Sequence, residues 1–577
     1  MKQALLLVLI CHFFSMSLAQ SLMAPNFLWV KTITLPNAVS GAEVFDFYTD
    51  STGNSYVYGI FTGSIDFGNG TFLHTQNALE GYFVAKYLPT GGLDWARKIV
   101  ASNGGIIYSE MVPSGIAADG AGNVYLCGQL SNVALNFGNG TVLQRSCVGT
   151  PTCSDIFIAK YNADGEAQWA RQAAGSANTF QKAACVVVGA DGTVFVVGNY
   201  EGQQLNFDNL LIYNNLDDDG MYLARYRPDG TVISTTFFGN GDGNSQVEHL
   251  AITRQNNLLA TGQYTDEGLQ FGNDVSLDVL GGNSTSNYFI VEYTAEGLAQ
   301  WAYNLHSDAY LDVLDIAADT FGQPYVIADF TTSVMSGLEL VSATSMADSS
   351  AGVLLHLTDS VFVPVVMVEY SGPAYPLANL AVDRHNRFFA AGYISEAQVA
   401  VADTVLFNAG CDDALLLSGT TGVIPPLNWV RTAGGNDCEA ILSAYFGRTL
   451  ATDYKGDLYM VGSFDGLLQL DNFAKLGLGL FVAKLGTGTV GTHDSAWADL
   501  AFHLSPNPSR GDFHLEVAAL GAPRQVMIYD AQGSLYHQRS IRQANDLYFR
   551  LSLPNGLYTV VLLEKNGMGR QKLLIIK

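Results

Sequence analysis

Basic residues are scarce in this chain. Its 577 residues include 28 Lys and Arg against 53 Asp and Glu, which gives a formal net charge of −25. Such a surface repels phosphate backbones, so we expect no nucleic-acid partner. Charged residues make up only 14% of the chain, whereas glycine occurs 60 times. This composition is typical of an all-β protein with many tight turns.

Long apolar segments are also missing. Lys2 precedes a short apolar run from Ala4 to Ile10, and Ser17-Leu18-Ala19 supplies small residues before Gln20. This pattern predicts a signal peptide over residues 1–19, cleaved before Gln20. No later run reaches the roughly 18 apolar residues of a transmembrane helix. We therefore expect an exported chain without a transmembrane segment.

Cysteine is rare, with seven residues in all. Cys147 and Cys153 are near enough in sequence to close a small loop, and Cys411 with Cys438 could join two neighbouring loops, so we predict these four as possible disulfide partners. Cys127 and Cys185 lie in apolar strand patterns typical of buried thiols. A zinc site is disfavoured because the chain has no paired CxxC and no nearby His.

The chain repeats itself between its ends. A short strand that ends in a small residue recurs seven times, at steps of about 67 residues; the small residues are Gly59, Gly128, Gly198, Gly262, Ala328, Gly392 and Gly462. A second strand follows, as in Phe83-Val-Ala-Lys-Tyr87, with degraded copies at Val353–Leu357 and Ala414–Leu417. A Trp strand comes next, as in Trp95-Ala-Arg97. Four strands per unit, counting the one before each Asp turn, predict a seven-bladed β-propeller with long connections over residues 20–490. The units resemble the β-propeller repeat of secreted bacterial proteins.

The repeat has a phase mismatch at its ends. The seventh unit contains Phe481-Val-Ala-Lys484 but lacks a Trp nine residues later, whereas Phe27-Leu-Trp-Val-Lys31 stands alone near the N-terminus. We predict that this N-terminal strand is the outer strand of the last blade and closes the ring. Trp497 is the competing candidate.

The most regular polar residues are explained by turn chemistry. Asp50, Asp119, Asp319, Asp383 and Asp453 each lie nine residues before the repeated small residue, mostly in Asp-x-x-Gly, where Asp accepts backbone hydrogen bonds and Gly tolerates positive φ. The nearest approaches to a calcium loop, residues 240–244 and 217–219, lack EF-hand spacing. We expect no metal and no cofactor. Phe67, Phe137 and Phe271 are predicted to pack between blades.

The sequence offers no catalytic motif. Its histidines share no repeat register, and no Gly-x-Ser-x-Gly elbow occurs. Some acidic residues and one His precede or begin first strands, which can face a propeller channel: Glu43, Glu110, Glu248, His249, Asp312 and Asp315. Scattered carboxylates on an acidic protein favour a non-enzyme with no catalytic residues, namely a scaffold that binds an unknown extracellular ligand, a glycan or a protein. The alternative is a polysaccharide hydrolase or lyase with its site at the channel mouth.

The last 76 residues have their own pattern. Pro506-Asn507-Pro508 with Gly511, Ile528-Tyr-Asp with Gly533, and Leu553-Pro-Asn-Gly556-Leu-Tyr558 punctuate alternating apolar strands, which predicts a small immunoglobulin-like β-sandwich over residues 502–577 after a linker at 491–501. These motifs resemble the type A C-terminal sorting domain of the type IX secretion system of Bacteroidetes bacteria. The resemblance implies the type IX machinery as a partner, and a monomeric chain that is secreted or attached to the outer-membrane surface.

Overall fold

The computed structural model describes most of the chain after the N-terminus. The residues it describes are 24–36, 40–75, 80–101, 115–131, 133–146, 153–175, 179–208, 210–213, 220–239, 245–264, 268–278, 286–336, 339–344, 350–358, 361–370, 375–395, 398–401, 404–407, 413–420, 427–433, 448–486, 498–499, 502–517, 524–529, 535–541, 547–564 and 567–576. The elements within these ranges are β-strands, so the all-β prediction is confirmed. They include no helix long and apolar enough to cross a membrane.

Each repeat unit forms one antiparallel sheet, whose strands we name first, second, third and outer. The first strands are Gly41–Thr49, Gly115–Ala118, Gln181–Val188, Gln246–Ile252, Leu311–Ala318, Tyr375–Val382 and Leu450–Thr452. The second strands are Ser55–Thr62, Val124–Leu130, Val194–Tyr200, Leu258–Tyr264, Pro324–Thr331, Arg387–Ile394 and Leu458–Leu470. The third strands are Glu80–Tyr87, Asp155–Tyr161, Gly220–Tyr226, Ser286–Tyr293, Ser350–Thr358, Asp413–Thr420 and Phe473–Leu485. The outer strands are Leu93–Ala101, Ala167–Gly175, Val232–Phe238, Ala299–Ser307, Val361–Tyr370, Leu427–Ala433 and, for the last sheet, Phe27–Thr34.

The sheets succeed one another around a common centre. Within each sheet the strands pair in the order first, second, third, outer. The first strand of each sheet contacts the first strand of the next, and Leu450–Thr452 of the last sheet contacts Gly41–Thr49 of the first. Apolar clusters fill the spaces between neighbouring sheets, and they contain the buried rings of Phe67, Phe137 and Phe271, as predicted. The arrangement is β-propeller-like.

The N-terminal strand closes this arrangement. Phe27–Thr34 pairs antiparallel with the third strand of the last sheet, so that Trp29 is opposite Lys484 and Ile33 is opposite Leu480. The side chains of Phe27, Val30 and Ile33 are buried. The prediction that this strand completes the last sheet is confirmed. The competing Trp497 lies outside the described residues.

The long connections predicted between second and third strands contain β-hairpins. These hairpins pair Ser64–Asp66 with Phe72–His74, Ala134–Gly138 with Thr141–Gln144, Gln204–Phe207 with Leu210–Tyr213, Leu269–Gly272 with Val275–Leu277, Ser333–Ser336 with Glu339–Ala343, and Gln398–Val401 with Thr404–Phe407. Four of them add to the outer strand of the preceding sheet, as where Leu135 pairs with Ala101. A unit therefore extends the sheet of its neighbour as well as building its own.

The repeated small residue does not end its strand, which corrects the sequence interpretation. The second strand of the first unit continues from Gly59 to Thr62. Gly59 lies opposite a β-bulge in the first strand, between Val44 and Asp46, and a Cβ atom at Gly59 would collide with the Glu43 carbonyl oxygen. Gly198, Gly262 and Gly392 meet a carbonyl oxygen in the same way. In these four units the glycine allows the two backbones to approach closely at the bulge, whereas Ala328 occupies the same position opposite the bulge of the fifth unit.

The Asp turns behave as predicted. Asp50 Oδ1 accepts the backbone N–H groups of Thr52 at 2.9 Å and Asn54 at 3.0 Å, and its Oδ2 accepts the Tyr56 hydroxyl at 3.1 Å. The corresponding Asp and Tyr are hydrogen-bonded in the second and seventh units as well. These carboxylates are thus occupied by their own turns.

The tryptophan strands connect neighbouring sheets. The indole Nε1 of Trp95 donates to the Ala163 carbonyl of the next sheet at 2.9 Å, and Trp29 and Trp169 donate to Pro89 and Pro228 at 3.0 and 3.1 Å. A glycine lies flat against each indole, because a Cβ atom at Gly165 would be 2.6 Å from the Trp95 ring. This tryptophan contact fixes one sheet against the next.

The C-terminal residues form separate sheets with their own core. Their strands are Ala498–Asp499, Phe502–Ser505, Asp512–Val517, Arg524–Tyr529, Leu535–Ile541, Tyr548–Arg550, Gly556–Glu564 and Gly567–Ile575, arranged in one five-stranded and one three-stranded sheet. The buried cluster of this region draws only on residues from Phe502 to Ile575. Ala498–Asp499, which the sequence analysis assigned to the linker, pairs parallel with the last strand. The C-terminal unit therefore begins at least four residues earlier than predicted.

Candidate functional site

The bulges in the first strands position a set of polar side chains at the centre of the sheets. The residue directly after the bulge is Asp46, Cys185, His249, Asp315 or Asn379 in five of the units. Asp46 and Asp315 accept the backbone N–H groups of Ile116 and Leu380 in the following sheet, at 2.8 and 2.7 Å. Asn379 accepts Thr449 N–H at 2.8 Å. These side chains join one first strand to the next.

Asp315 and His249, which were predicted to face the channel, thus lie directly after the bulges of their first strands. Burial raises the pKa of Asp315 to about 7, and burial lowers the pKa of His249 to about 4. Each shift has the sign expected when the charged form loses its water. Asp46 is paired with Arg448 of the last sheet, at 2.8 Å, so the two ends of the ring are joined by an ion pair.

A second group of polar residues lies at the end of the sheets where the first strands begin, which we call the loop end. We define the carboxylate–tyrosine cluster as Glu248, Asp312, Asp329, Tyr288, Tyr310, Tyr370 and Tyr375. These residues come from the fourth, fifth and sixth sheets. Sequence analysis had selected Glu248 and Asp312 but none of the tyrosines.

Asp312 is at the centre of the cluster. It is the second residue of its first strand, and it accepts the Tyr288 hydroxyl at 2.7 Å and the Tyr310 hydroxyl at 3.3 Å. The Tyr310 hydroxyl also lies 3.5 Å from that of Tyr375 in the next sheet. Tyr288 is buried, whereas Tyr310 is 42% exposed. The cluster therefore reaches the surface through a tyrosine ring whose hydroxyl is held by a carboxylate.

Glu248 approaches Asp312 from the fourth sheet. It lies within the bulge between Val247 and His249, which turns it out of the regular strand alternation. Burial, together with the negative charge of Asp312, raises the pKa of Glu248 to about 8, and Lys182 opposes this shift. Glu248 consequently holds a proton at neutral pH, close to the Asp312 carboxyl.

Asp329 is the most deeply buried carboxyl of the cluster. It is opposite Asp312 in the pairing of first and second strands, and both of its oxygens accept the Tyr370 hydroxyl, at 2.8 and 2.7 Å. Burial, with a smaller contribution from the charge of Asp312, raises its pKa to about 7 against the opposing effect of the Tyr370 hydroxyl bond. Two proton-holding carboxyls therefore flank Asp312.

The arrangement can bind a polar ligand and can transfer a proton. Tyrosine presents an apolar ring with a polar tip, which suits a ligand with both C–H and O–H surfaces. A protonated carboxyl beside an ionised one supplies an acid and a base at one place. The cluster places a carboxylate pair and an aromatic surface together, which is the feature that would favour the enzyme alternative.

The other candidate residues do not converge. Glu43 is an exposed residue at the loop end of the first sheet, and the partial loss of water around its carboxyl raises its pKa. Glu110 and the calcium candidates at 217–219 and 240–244 lie outside the described residues. Among the described residues no group of three or more His, Cys, Asp or Glu could hold a metal ion.

The cysteines are only partly described. Cys127 and Cys185 are free thiols, and burial raises the pKa of both. Cys153 is disulfide-bonded. Its partner is not among the described residues, and Cys147, Cys411 and Cys438 also lie outside them. The pairing therefore stays a prediction.

The predicted sorting-motif residues have local roles in the C-terminal sheets. Asn507 Oδ1 accepts the N–H of Leu574 at 2.9 Å, which ties the Pro-Asn-Pro segment to the last strand. Gly511 has a φ of 112°, and a Cβ atom there would collide with the Leu551 carbonyl oxygen. The Tyr558 hydroxyl donates to the Pro554 carbonyl at 3.1 Å. Pro506, Pro508 and Gly556 are described, whereas Gly533 is not.

Comparison with known proteins leaves the family open. No family model matches the chain. An uncharacterized WD repeat-containing protein of Acanthamoeba polyphaga mimivirus is 22% identical over 374 residues, covering 55% of this chain and 26% of that protein. The chain thus spans about a quarter of the length of this relative.

Solved structures show only distant likeness. A polysaccharide lyase, an ulvan lyase, has a TM-score of 0.36 at 10% identity and covers 80% of this chain and 96% of its own. A puromycin hydrolase has a TM-score of 0.33 at 11% identity, over 77% of this chain and 62% of its own. A Dyadobacter fermentans protein of unknown function scores 0.29 at 11% identity, over 67% of this chain and 98% of its own. Scores this low carry no argument about function.

Proposed function

We propose that this chain is a secreted seven-bladed β-propeller that binds a glycan at the carboxylate–tyrosine cluster. The repeated sheets support the blade number, because each first strand contacts the next and the last contacts the first. The C-terminal sheets, with their separate core, support an immunoglobulin-like sandwich outside the propeller.

One observation carries the ligand proposal: an exposed tyrosine ring lies directly beside a hydrogen-bonded carboxylate. The Tyr310 ring can pack against the C–H face of a sugar, and the Asp312 oxygens can accept sugar hydroxyls. The hydroxyl contacts from Tyr288 and Tyr375 hold this pair in place. A pre-formed site of this kind needs little rearrangement to bind.

Glycan-array binding tests the proposal. We expect the protein to bind a defined set of glycans, and we expect Tyr310→Ala to weaken that binding about tenfold, the loss of roughly 1.4 kcal/mol. Tyr213→Ala is the matched control, because Tyr213 is 62% exposed but lies on a hairpin away from the cluster. Equal losses in both variants, or no binding to any glycan, would contradict the proposal.

A second candidate, a polysaccharide hydrolase or lyase, is favoured by the protonation of Glu248. With its pKa raised to about 8, Glu248 can donate a proton to a leaving oxygen at neutral pH. The neighbouring Asp312 can then act as the base or nucleophile of a carboxylate pair. We expect Glu248→Gln to abolish release of reducing ends or unsaturated products from a bound glycan while binding persists. Binding without turnover in the unmodified protein would reject this candidate.

We also propose that the C-terminal sheets deliver the propeller through the type IX machinery to the cell surface or the medium. The support is that they carry the Pro-Asn-Pro segment and have a core of their own, so the propeller can fold without them. A chain truncated before Ala498 should stay in the periplasm as a folded protein. Cell fractionation with a protease-resistance check measures this, and normal surface display of the truncated chain would contradict it.

A further inference from the structure

The end of the sheets opposite the loop end, which we call the turn end, carries a different surface. There the Asp turns, which have Gly189 and Thr253 in place of Asp in the third and fourth sheets, join first and second strands, and most of the residues at the next two positions are exposed. We define the cationic turn patch by six exposed residues in the turns of the fourth to seventh sheets: Arg254, Phe321, Arg384, His385, Tyr454 and Lys455.

These turns touch one another. Thr320 Oγ1 donates to Asn386 Oδ1 at 2.8 Å, which joins the fifth turn to the sixth. The Arg384 guanidinium carbon lies 3.4 Å from the centre of the Tyr454 ring, which joins the sixth to the seventh. Tyr454 N–H then donates to the Ser51 carbonyl of the first sheet at 3.1 Å. The fifth, sixth and seventh turns thus form one continuous surface, and the fourth turn meets the fifth where a Cβ atom at Gly322 would lie 3.5 Å from Gln255 Oε1.

Two aromatic rings of the patch have almost no packing role. Phe321 is 74% exposed and Tyr454 is 60% exposed. The guanidinium of Arg384 lies over one face of Tyr454, so this cation is held in position before any ligand arrives. Exposed rings beside a fixed cation form a surface for a ligand with apolar faces and negative charge.

The described carboxylates of these turns are already occupied. The turn carboxylates Asp319, Asp383 and Asp453 are buried and accept hydrogen bonds from their own turns. Asp457 is ion-paired with Lys484 at 2.9 Å. The same turn positions in the first three sheets are Ser51-Thr52, Gly120-Ala121 and Ala190-Asp191, which contain no cation. A chain with only 28 basic residues therefore gathers several of them in one part of one surface.

We infer that the cationic turn patch is a second binding site, for an anionic polysaccharide. Sulfate or carboxylate groups of the polysaccharide pair with Arg254, Arg384 and Lys455. The apolar faces of its sugar rings pack on Phe321 and Tyr454. The acidic carboxylate–tyrosine cluster at the opposite end of the sheets would repel such a ligand, so the two surfaces select different glycans.

Binding to immobilised dextran sulfate, polygalacturonate and neutral dextran tests this inference in the full-length protein. We expect binding to one or both anionic polymers, none to dextran, and a steep loss with salt. The double variant R384Q/K455Q should bind about tenfold less tightly. Arg227→Gln is the matched control, because Arg227 is an exposed cation in a turn between third and outer strands, and it should change affinity less than about twofold.

Two further variants separate the surfaces. Phe321→Ala should weaken binding to the anionic polymer, whereas Tyr310→Ala at the other end should leave it unchanged. Because all these side chains are exposed, the variants should melt as the unmodified protein does. The inference is overturned if neutral dextran binds equally well, if Arg227→Gln weakens binding as much as R384Q/K455Q, or if the patch captures only a protein.

Discussion

The junctions between neighbouring sheets share one tryptophan contact in one part of the ring and lack it at places in the other part. Where the last sheet meets the first, the first meets the second and the second meets the third, the same contact recurs: Trp29, Trp95 or Trp169 donates to a turn carbonyl and lies flat on a glycine. At the outer strand of the third sheet, Ser234 stands at the tryptophan position, opposite Arg225. At the outer strand of the fifth sheet, Val363 does so, opposite His356.

The two parts differ in role: the regular part stabilises the ring, and the irregular part carries the proposed binding residues. The regular part contains the ring closure and the repeated tryptophan contacts. The irregular part runs from the outer strand of the third sheet to the sixth sheet, and it keeps the tryptophan only in the fourth and sixth sheets, as Trp301 and Trp429. It contains the carboxylate–tyrosine cluster and most of the cationic turn patch. The part of the ring that departs from the repeated tryptophan contact is thus the part that carries the shifted carboxyls, as expected when function costs some local regularity.

Of the variants that test this comparison, deletion of the closing strand should have the largest effect on stability. Deleting residues 20–34 takes away the strand paired with Phe473–Leu485 and the buried side chains of Phe27, Val30 and Ile33. We expect a loss of several kcal/mol in the free energy of unfolding, since a single buried side chain contributes about 1.5–3 kcal/mol. Chemical denaturation measures it, with Trp29→Phe, which keeps the strand, as the control. Unchanged stability would show that the ring does not depend on its closing strand.

A pair of glycine substitutions sharpens the comparison. Gly165 and Gly297 occupy equivalent turns with φ of 75° and 86°. A Cβ atom at Gly165 would clash with the Trp95 ring at 2.6 Å, whereas a Cβ atom at Gly297 would have room, because its nearest neighbour, Thr236 Oγ1, is 3.5 Å away. Both Ala variants pay for positive φ, about 1–2 kcal/mol. Gly165→Ala should lose about 1–3 kcal/mol more because it displaces the indole. Equal losses by thermal unfolding would show that the tryptophan contact adds nothing to the regular part.

The smallest expected effect is a pH dependence of stability that arises from carboxyls in the irregular part. Unfolded carboxyls lose their protons near pH 4, whereas those of Glu248 and Asp329 have pKa values of about 8 and 7 in the folded protein. Between about pH 4 and pH 8 the folded chain therefore holds more protons than the unfolded chain, so the free energy of unfolding falls as the pH rises. His249, with its pKa lowered to about 4, acts in the opposite direction only below about pH 6.5.

Raising the pH from 6.5 to 8.5 should accordingly lower the stability by about 1 kcal/mol per carboxyl, after allowance for solvent screening. Glu248→Gln should reduce the slope, while Glu43→Gln, at an exposed loop-end position, should change it less. A melting temperature that rises over this interval would contradict the assignment.

The sequence predicts the features that recur from unit to unit, but it does not predict the bulges or most of the carboxylate–tyrosine cluster. The seven recurrences of the small residue, the Asp turns and the orphan strand at Phe27 follow from periodicity, and the strands lie where it placed them. The bulge opposite Gly59 was missed, because the consecutive apolar residues Val44 and Phe45 hide the one-residue shift in the alternation that a bulge introduces. Only part of the cluster was found: Glu248 and Asp312 lie near strand starts, whereas Asp329 and Tyr370 meet only through strand pairing within the fifth sheet, and Tyr375 reaches Tyr310 from the next sheet.

The hairpins that extend a neighbouring sheet have a consequence for how such a chain can lengthen or shorten. At four junctions the unit that repeats in the sequence is not the sheet that forms in space, because a hairpin of one unit pairs with the outer strand of the unit before it. A duplicated unit inserted at one of these junctions brings the cover for its predecessor's outer edge and receives its own cover from its successor. Gain or loss of a whole unit there by recombination then leaves no uncovered edge, so unit number is open to change at these junctions while the junction chemistry is preserved.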